Sequence, residues 1–158
     1  MKINIFFIKT LKNENVHNVV KTLFVLALSN QLKNKFSIGS LKYKKNKWDY
    51  PNVFLSASHC KNNVVVAISL APIGIDIEQI GNKLLNKSIF QRILTKNEAK
   101  KYPQYNNIDL LKLWTKKEAI FKMNGVKKFI PNKIDTLKFN TKTYFIGKNL
   151  ICSISKKC

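Results

Sequence analysis

Between residues 53 and 78 three strand signals follow one another with connections too short to hold anything but turns. Residues 53–58 alternate, with Val53, Leu55 and Ala57 on one side and Phe54, Ser56 and Ser58 on the other. Lys61-Asn62-Asn63 is turn-like, residues 64–70 are rich in β-branched side chains, and Ala71-Pro72 punctuates the chain before residues 73–78. The spacing predicts a hairpin over 53–70 and a further strand over 73–78. Residues 3–8 read as a buried first strand and 36–41 as a short strand bent at Gly39. Residues 130–154 alternate enough for two or three more.

Helical periods fill the gaps. Val16, Val19, Val20, Leu23, Phe24, Ala27 and Leu28 recur at i, i+3, i+4 spacing, and residues 13–15 offer caps, so a helix over 16–32 is predicted. His17 falls beside its apolar face and reads as a surface histidine. A second helical pattern covers 84–93. Thr95 and Glu98 have capping-box spacing for a short helix that Pro103 ends. Asn106-Asn107 can cap a long helix to about Met123, and Asn124-Gly125 supplies a left-handed stop. The class is α+β, and no linker, repeat or low-complexity tract separates domains.

The formal net charge of +21 predicts attraction to phosphates, anionic lipid or acidic proteins. Only Arg92 is an arginine among the 29 basic residues, a lysine bias that an AT-rich coding sequence also gives. A dedicated nucleic-acid binder is expected to use more arginine, whose planar fork reads phosphate and guanine, so no nucleic-acid partner is expected. Lys42, Lys44, Lys45 and Lys47, interleaved with Tyr43 and Trp48, form either a solvated loop or an anion-binding one. The three cysteines, Cys60, Cys152 and Cys158, have no CxxC spacing, which suits a reducing cytoplasm. No segment has the length of a membrane span, and no signal peptide is recognised.

Against this charge the carboxylates stand out, since the chain has only eight. On a strand over 73–78, Asp76 and Glu78 share a face while Ile75 and Ile77 take the other. Gly74 leaves that first face open for a ligand to approach. On the long helix, Leu110, Leu111, Trp114 and Phe121 define an apolar stripe with Glu118 inside it and Lys122 one turn on. Burying Glu118 alone costs several kcal/mol. Its partner is either Lys122 or a metal shared with Asp76 and Glu78. Three carboxylates without His or Cys ligands suit a hard ion, with Mg²⁺ first and Mn²⁺ possible.

These residues carry a resemblance. Ile73-Gly74-Ile75-Asp76-Ile77-Glu78 and Trp114-Thr115-x-Lys117-Glu118-Ala119-x-x-Lys122 resemble the paired signatures of the 4'-phosphopantetheinyl transferases. Leu55-x-x-Ser58-His59 is similar to an upstream element of the larger, single-chain (surfactin-synthetase-activating) branch. Arg92-Ile93-Leu94-Thr95-x-x-Glu98 is similar to the family's Arg-Phe-Phe-x-x-x-Glu, and Asn46-Lys47-Trp48 sits where that branch often has Gly-Lys-Pro. The resemblance covers about half the chain.

The resemblance implies two similar α+β halves related by a pseudo-twofold, here 1–71 and 72–158, with the cofactor between them. It implies transfer of 4'-phosphopantetheine from coenzyme A, the co-substrate, to a serine of an acidic acyl or peptidyl carrier protein, releasing 3',5'-ADP. By position, Asp76, Glu78 and Glu118 would hold Mg²⁺. Glu118, or a water it holds, would serve as general base, and Lys122 would contact the pyrophosphate and stabilise the leaving group. Ser58, His59 and Lys47 would bind coenzyme A, and Cys60, where the family usually has serine, is expected to be a small filler. Arg92, Lys96 and Lys100 are the expected docking face for the carrier, and the enzyme is expected to be a monomer. The competing readings are a non-catalytic basic module and a degenerate relative that binds coenzyme A without transfer.

Overall fold

The computed structural model describes residues 3–12, 14–45, 47–81, 92–101 and 104–157. The first half of the chain builds β1 (Asn4–Lys9), α1 (Val16–Leu32), the short pair β2 (Lys42–Lys44) and β3 (Lys47–Asp49), then β4 (Phe54–Cys60) and β5 (Asn63–Ser69). The second builds β6 (Ile73–Gln79), α2 (Lys96–Lys101), α3 (Asn107–Asn124), β7 (Thr141–Ile146) and β8 (Leu150–Lys156). Two antiparallel three-stranded sheets result, ordered β1-β5-β4 and β6-β8-β7. In both, a strand leads through a helix to a hairpin, and the first strand pairs with the last.

The strand β5 explains the packing. Its run Asn-Val-Val-Val-Ala-Ile-Ser is almost wholly buried, because both faces are covered. Val64, Val66 and Ile68 meet Val20, Leu23, Phe24, Ala27 and Leu28 of α1. Val65 and Ala67 turn the other way and meet Ile73, Ile75, Ile77, Cys152 and Ile154 of the second sheet. The layers are therefore helix, sheet, sheet, helix, with α3 packed on β6 and β8.

Several local readings hold to the residue. Asn15 caps α1 by accepting from His17 N and Asn18 N. Thr95 and Glu98 form the reciprocal capping box, at 3.2 Å for Glu98 N to Thr95 Oγ1 and 2.8 Å for Thr95 N to Glu98 Oε2. Asn106 Oδ1 accepts from Asp109 N at 2.9 Å, and Gly125 closes α3 at φ 62°. Asn106→Ala should lower stability by about 1 kcal/mol, measurable as a fall in the urea midpoint without a change of slope.

Others are corrected. The first strand is a sheet edge, not a buried strand: Ile5, Phe7 and Ile8 are each more than 40% exposed, because among the described residues only β5 pairs with it. Residues 36–41 form no strand: Ile38–Ser40 make a 3₁₀ turn, and the residues on either side of it are irregular. The basic segment is neither a plain loop nor a free one. The β2–β3 pair packs Trp48 against His17 of α1 at 4.7 Å between ring centroids, with Tyr43 edge-on at 4.5 Å. The proposed helix over 84–93 falls largely, and Pro103 wholly, outside the described residues.

Candidate active site

Gly74 decides how the site is assembled. A Cβ there would lie 1.8 Å from the backbone oxygen of Ala119 and 2.6 Å from Met123 N. The open face read from the sequence is thus filled by the backbone of α3, not kept for a ligand. On that side of the sheet the side chains stay small or flexible. Thr115 Oγ1 meets Ser153 Oγ at 2.7 Å, Ser155 Oγ meets Met123 Sδ at 3.4 Å, and Ala119 is fully buried. This close approach sets the helix turn 118–122 beside Asp76.

Asp76 is 4% exposed. Lys122 Nζ donates to its Oδ1 at 2.8 Å and to the backbone oxygen of Ile75 at 3.2 Å. Ser58 Oγ donates to the same Oδ1 at 2.7 Å. Two residues back, Ser56 Oγ accepts from Ile75 N at 3.0 Å, so β4 and β6 lie side by side with their contacts ascending together. Among the described residues Asp76 Oδ2 is buried without a hydrogen-bond partner.

Glu78 and Glu118 complete the cluster. Burial, then the Asp76 carboxylate, pushes the Glu78 carboxyl above its ordinary value, against the pull of Cys60 and Lys122. Glu118 is raised by the same two causes in the same order, with Glu78 adding to them and Lys122 opposing. Among the described residues no ion pair joins Lys122 to Glu118, so the lysine's partner is the strand aspartate and not its helix neighbour. Glu118 is also half-buried instead of central to a buried stripe. The buried positions of α3 are Leu110, Leu113, Lys117 and Ile120 on one side and Thr115, Ala119 and Met123 against the sheet. Trp114 and Phe121 pack instead on Phe129, at 5.3 and 5.1 Å between centroids.

The donor set suits a hard cation. An orphaned carboxylate oxygen, two neighbouring carboxyls raised by burial and then by the Asp76 charge, and oxygen donors only are what Mg²⁺ relieves. Among the described residues no three His, Cys, Asp or Glu side chains form a ready-made metal cage. Mg²⁺ commonly keeps waters and takes substrate phosphates beside one or two carboxylates, so a partial protein shell fits it.

The other expected site residues are placed less closely. His59 is exposed and, by strand alternation, faces away from Ser58 and towards the α1 side. Lys47 stands exposed on the rim of a groove lined by Trp48, Asn52, Phe54 and Leu70. Neither has a hydrogen bond or ion pair to the carboxylates among the described residues. Cys60 is half-buried and packs against the core between the sheets, as a small filler would.

One cluster was missed. Lys117 is fully buried, donating to Glu98 Oε2 at 2.7 Å and to the backbone oxygen of Ile134. Glu98 is fully buried too, and its Oε1 takes Thr136 N at 2.9 Å and Thr136 Oγ1 at 2.7 Å. The signal was available, because 117 falls at helical spacing with Leu110, Leu113 and Ile120.

An α+β fold whose strand aspartate is locked to a helix lysine, with glutamates on both elements, defines a recognisable class. The family model of the 4'-phosphopantetheinyl transferase superfamily matches residues 72–152, just over half of the chain. The chain belongs to that superfamily. It is similar to the 4'-phosphopantetheinyl transferase ffp of Bacillus subtilis, 33% identical over 81 residues. That match covers 49% of this chain and 35% of the relative, so the chain spans about a third of the relative's length.

Proposed function

We propose that the chain transfers 4'-phosphopantetheine from coenzyme A to a serine of an apo acyl or peptidyl carrier protein, releasing 3',5'-ADP. The observation that carries this is Asp76: one oxygen takes Lys122 and Ser58, the other is buried and bare among the described residues, and its charge acts on both Glu78 and Glu118. Asp76, Glu78 and Glu118 are the residues that would hold Mg²⁺, or Mn²⁺ in its place. When bound, the ion supplies positive charge to the pyrophosphate oxygens.

The chain's own groups do the rest. Glu118 takes the proton of the carrier serine as its oxygen bonds to the phosphorus bearing the pantetheine arm. The phosphorus–oxygen bond of the pyrophosphate bridge breaks, and the Lys122 ammonium meets the charge that collects on the departing 3',5'-ADP. Lys47 and His59 are proposed contacts for coenzyme A.

We place the coenzyme between the halves 1–71 and 72–158, a reading supported by their repeated connectivity. Exposed Arg92, Lys96 and Lys100 offer positive charge to an acidic carrier. Free thiols at Cys60 and Cys152 suit a reducing cytoplasm, and the enzyme is read as a monomer. Among the described residues no helix is long and apolar enough to cross a membrane.

Apo carrier protein mixed with coenzyme A, Mg²⁺ and this chain should gain a phosphopantetheinyl mass. Asp76→Ala and Glu118→Ala should each slow the gain at least about a hundredfold. Transfer at the wild-type rate in both variants would refute the site.

A further inference from the structure

We propose that Ser58 is a positioning residue that leaves Asp76 one oxygen, Oδ2, for a cation, a role that rests on reading Asp76 as a metal ligand. A serine hydroxyl has a single proton to give. Here it is given to Asp76 Oδ1 at 2.7 Å, on the same oxygen that takes Lys122 Nζ at 2.8 Å. While that bond lasts, the hydroxyl cannot also donate to a coenzyme A phosphate. Two donors from different elements fix a carboxylate whose final torsion is otherwise soft, and they aim the bare Oδ2 in one direction.

The serine is itself held. Ser58 lies opposite Val65 in the first sheet, and the Ser56–Ile75 bond pins β4 to β6 one strand repeat away. Lys122 comes from α3, which the Gly74 contact seats on the sheet. The first half of the chain therefore reaches the cation site through Ser58, by orienting a ligand and not by adding one. Outer partners of this kind typically account for a 10- to 100-fold share of metal affinity or activity.

The test is Mn²⁺ binding to the full chain, followed by the electron paramagnetic resonance of the free ion, alongside coenzyme A kinetics at saturating metal. Ser58→Ala is expected to raise the half-saturating Mn²⁺ about 10- to 100-fold, with the KM for coenzyme A nearly unchanged. Ser58→Thr, which keeps the hydroxyl, is expected to bind close to wild type. Ser58→Cys, with a similar volume and a weaker donor, is expected to fall between, and it replaces the alanine variant if that one melts early. Wild-type Mn²⁺ binding in both Ser58→Ala and Ser58→Cys would overturn the proposal, the more so with a raised KM for coenzyme A. Equal Mn²⁺ binding by wild type and Asp76→Ala would overturn the metal reading of Asp76, and the role of Ser58 with it.

Discussion

Gly74→Ala is expected to destabilise the chain by about 3 kcal/mol or more, beyond the usual range for an overpacked core. The reason is what the new methyl would meet. Its nearest neighbours are backbone atoms of Ala119 and Met123, at 1.8 and 2.6 Å, and helical backbone cannot rotate aside as a side chain can. Relief requires lifting α3 off β6, which breaks the Lys122–Asp76 pair and the Thr115–Ser153 contact together. Urea denaturation followed by circular dichroism gives the number. A midpoint close to wild type would mean that α3 does not sit against β6 as described.

Glu98→Gln should cost about 3–5 kcal/mol, the range for removing one partner of a buried ion pair. The amide leaves Lys117 buried with its charge uncompensated, and the site was built around four donors to a carboxylate: Lys117 Nζ, Thr95 N, Thr136 N and Thr136 Oγ1. Burial pushes the Glu98 carboxyl up, but Lys117 and the bonds from Thr95 and Thr136 outweigh it and hold it below the ordinary range. The Lys117 ammonium is driven down by burial, and its pairing with Glu98 restores only part.

The pH dependence follows from the sign. A depressed folded-state carboxyl contributes stability above its unfolded pKa and loses it as pH falls through the folded value. The gap between wild type and Glu98→Gln should therefore be full at neutral pH and shrink in acid. A loss under about 1 kcal/mol, flat with pH, would mark the pair as solvent-screened.

Much of the site was legible because its logic is local. Strand parity places Asp76 and Glu78 opposite Ile75 and Ile77, and the structure keeps that division, with both isoleucines in the inter-sheet core. Caps at Asn15, Asn106 and Gly125, and the Thr95–Glu98 box, read directly because they depend on residues no more than four apart. The wheel of α3 is a poor guide because its largest apolar side chains are not its most buried ones. A helix seated at backbone contact on a sheet needs small side chains there, so Ala119 and Thr115 go inward while Trp114 and Phe121 wait for Phe129.

The sequence by itself determined most of the strands and helices, the identity of the carboxylates and the side of the strand they occupy, since periodicity and parity act over a few residues; the β2–β3 pair and the turn at Ile38–Ser40 lay beyond that reach. Only the tertiary structure decided which groups are spent on each other. Ser58 lies 18 residues from Asp76 in the chain and Lys122 lies 46 away, yet both donate to one oxygen. That convergence depends on two sheets pressed face to face and on a helix admitted by a glycine, and spacing along the chain carries no record of either.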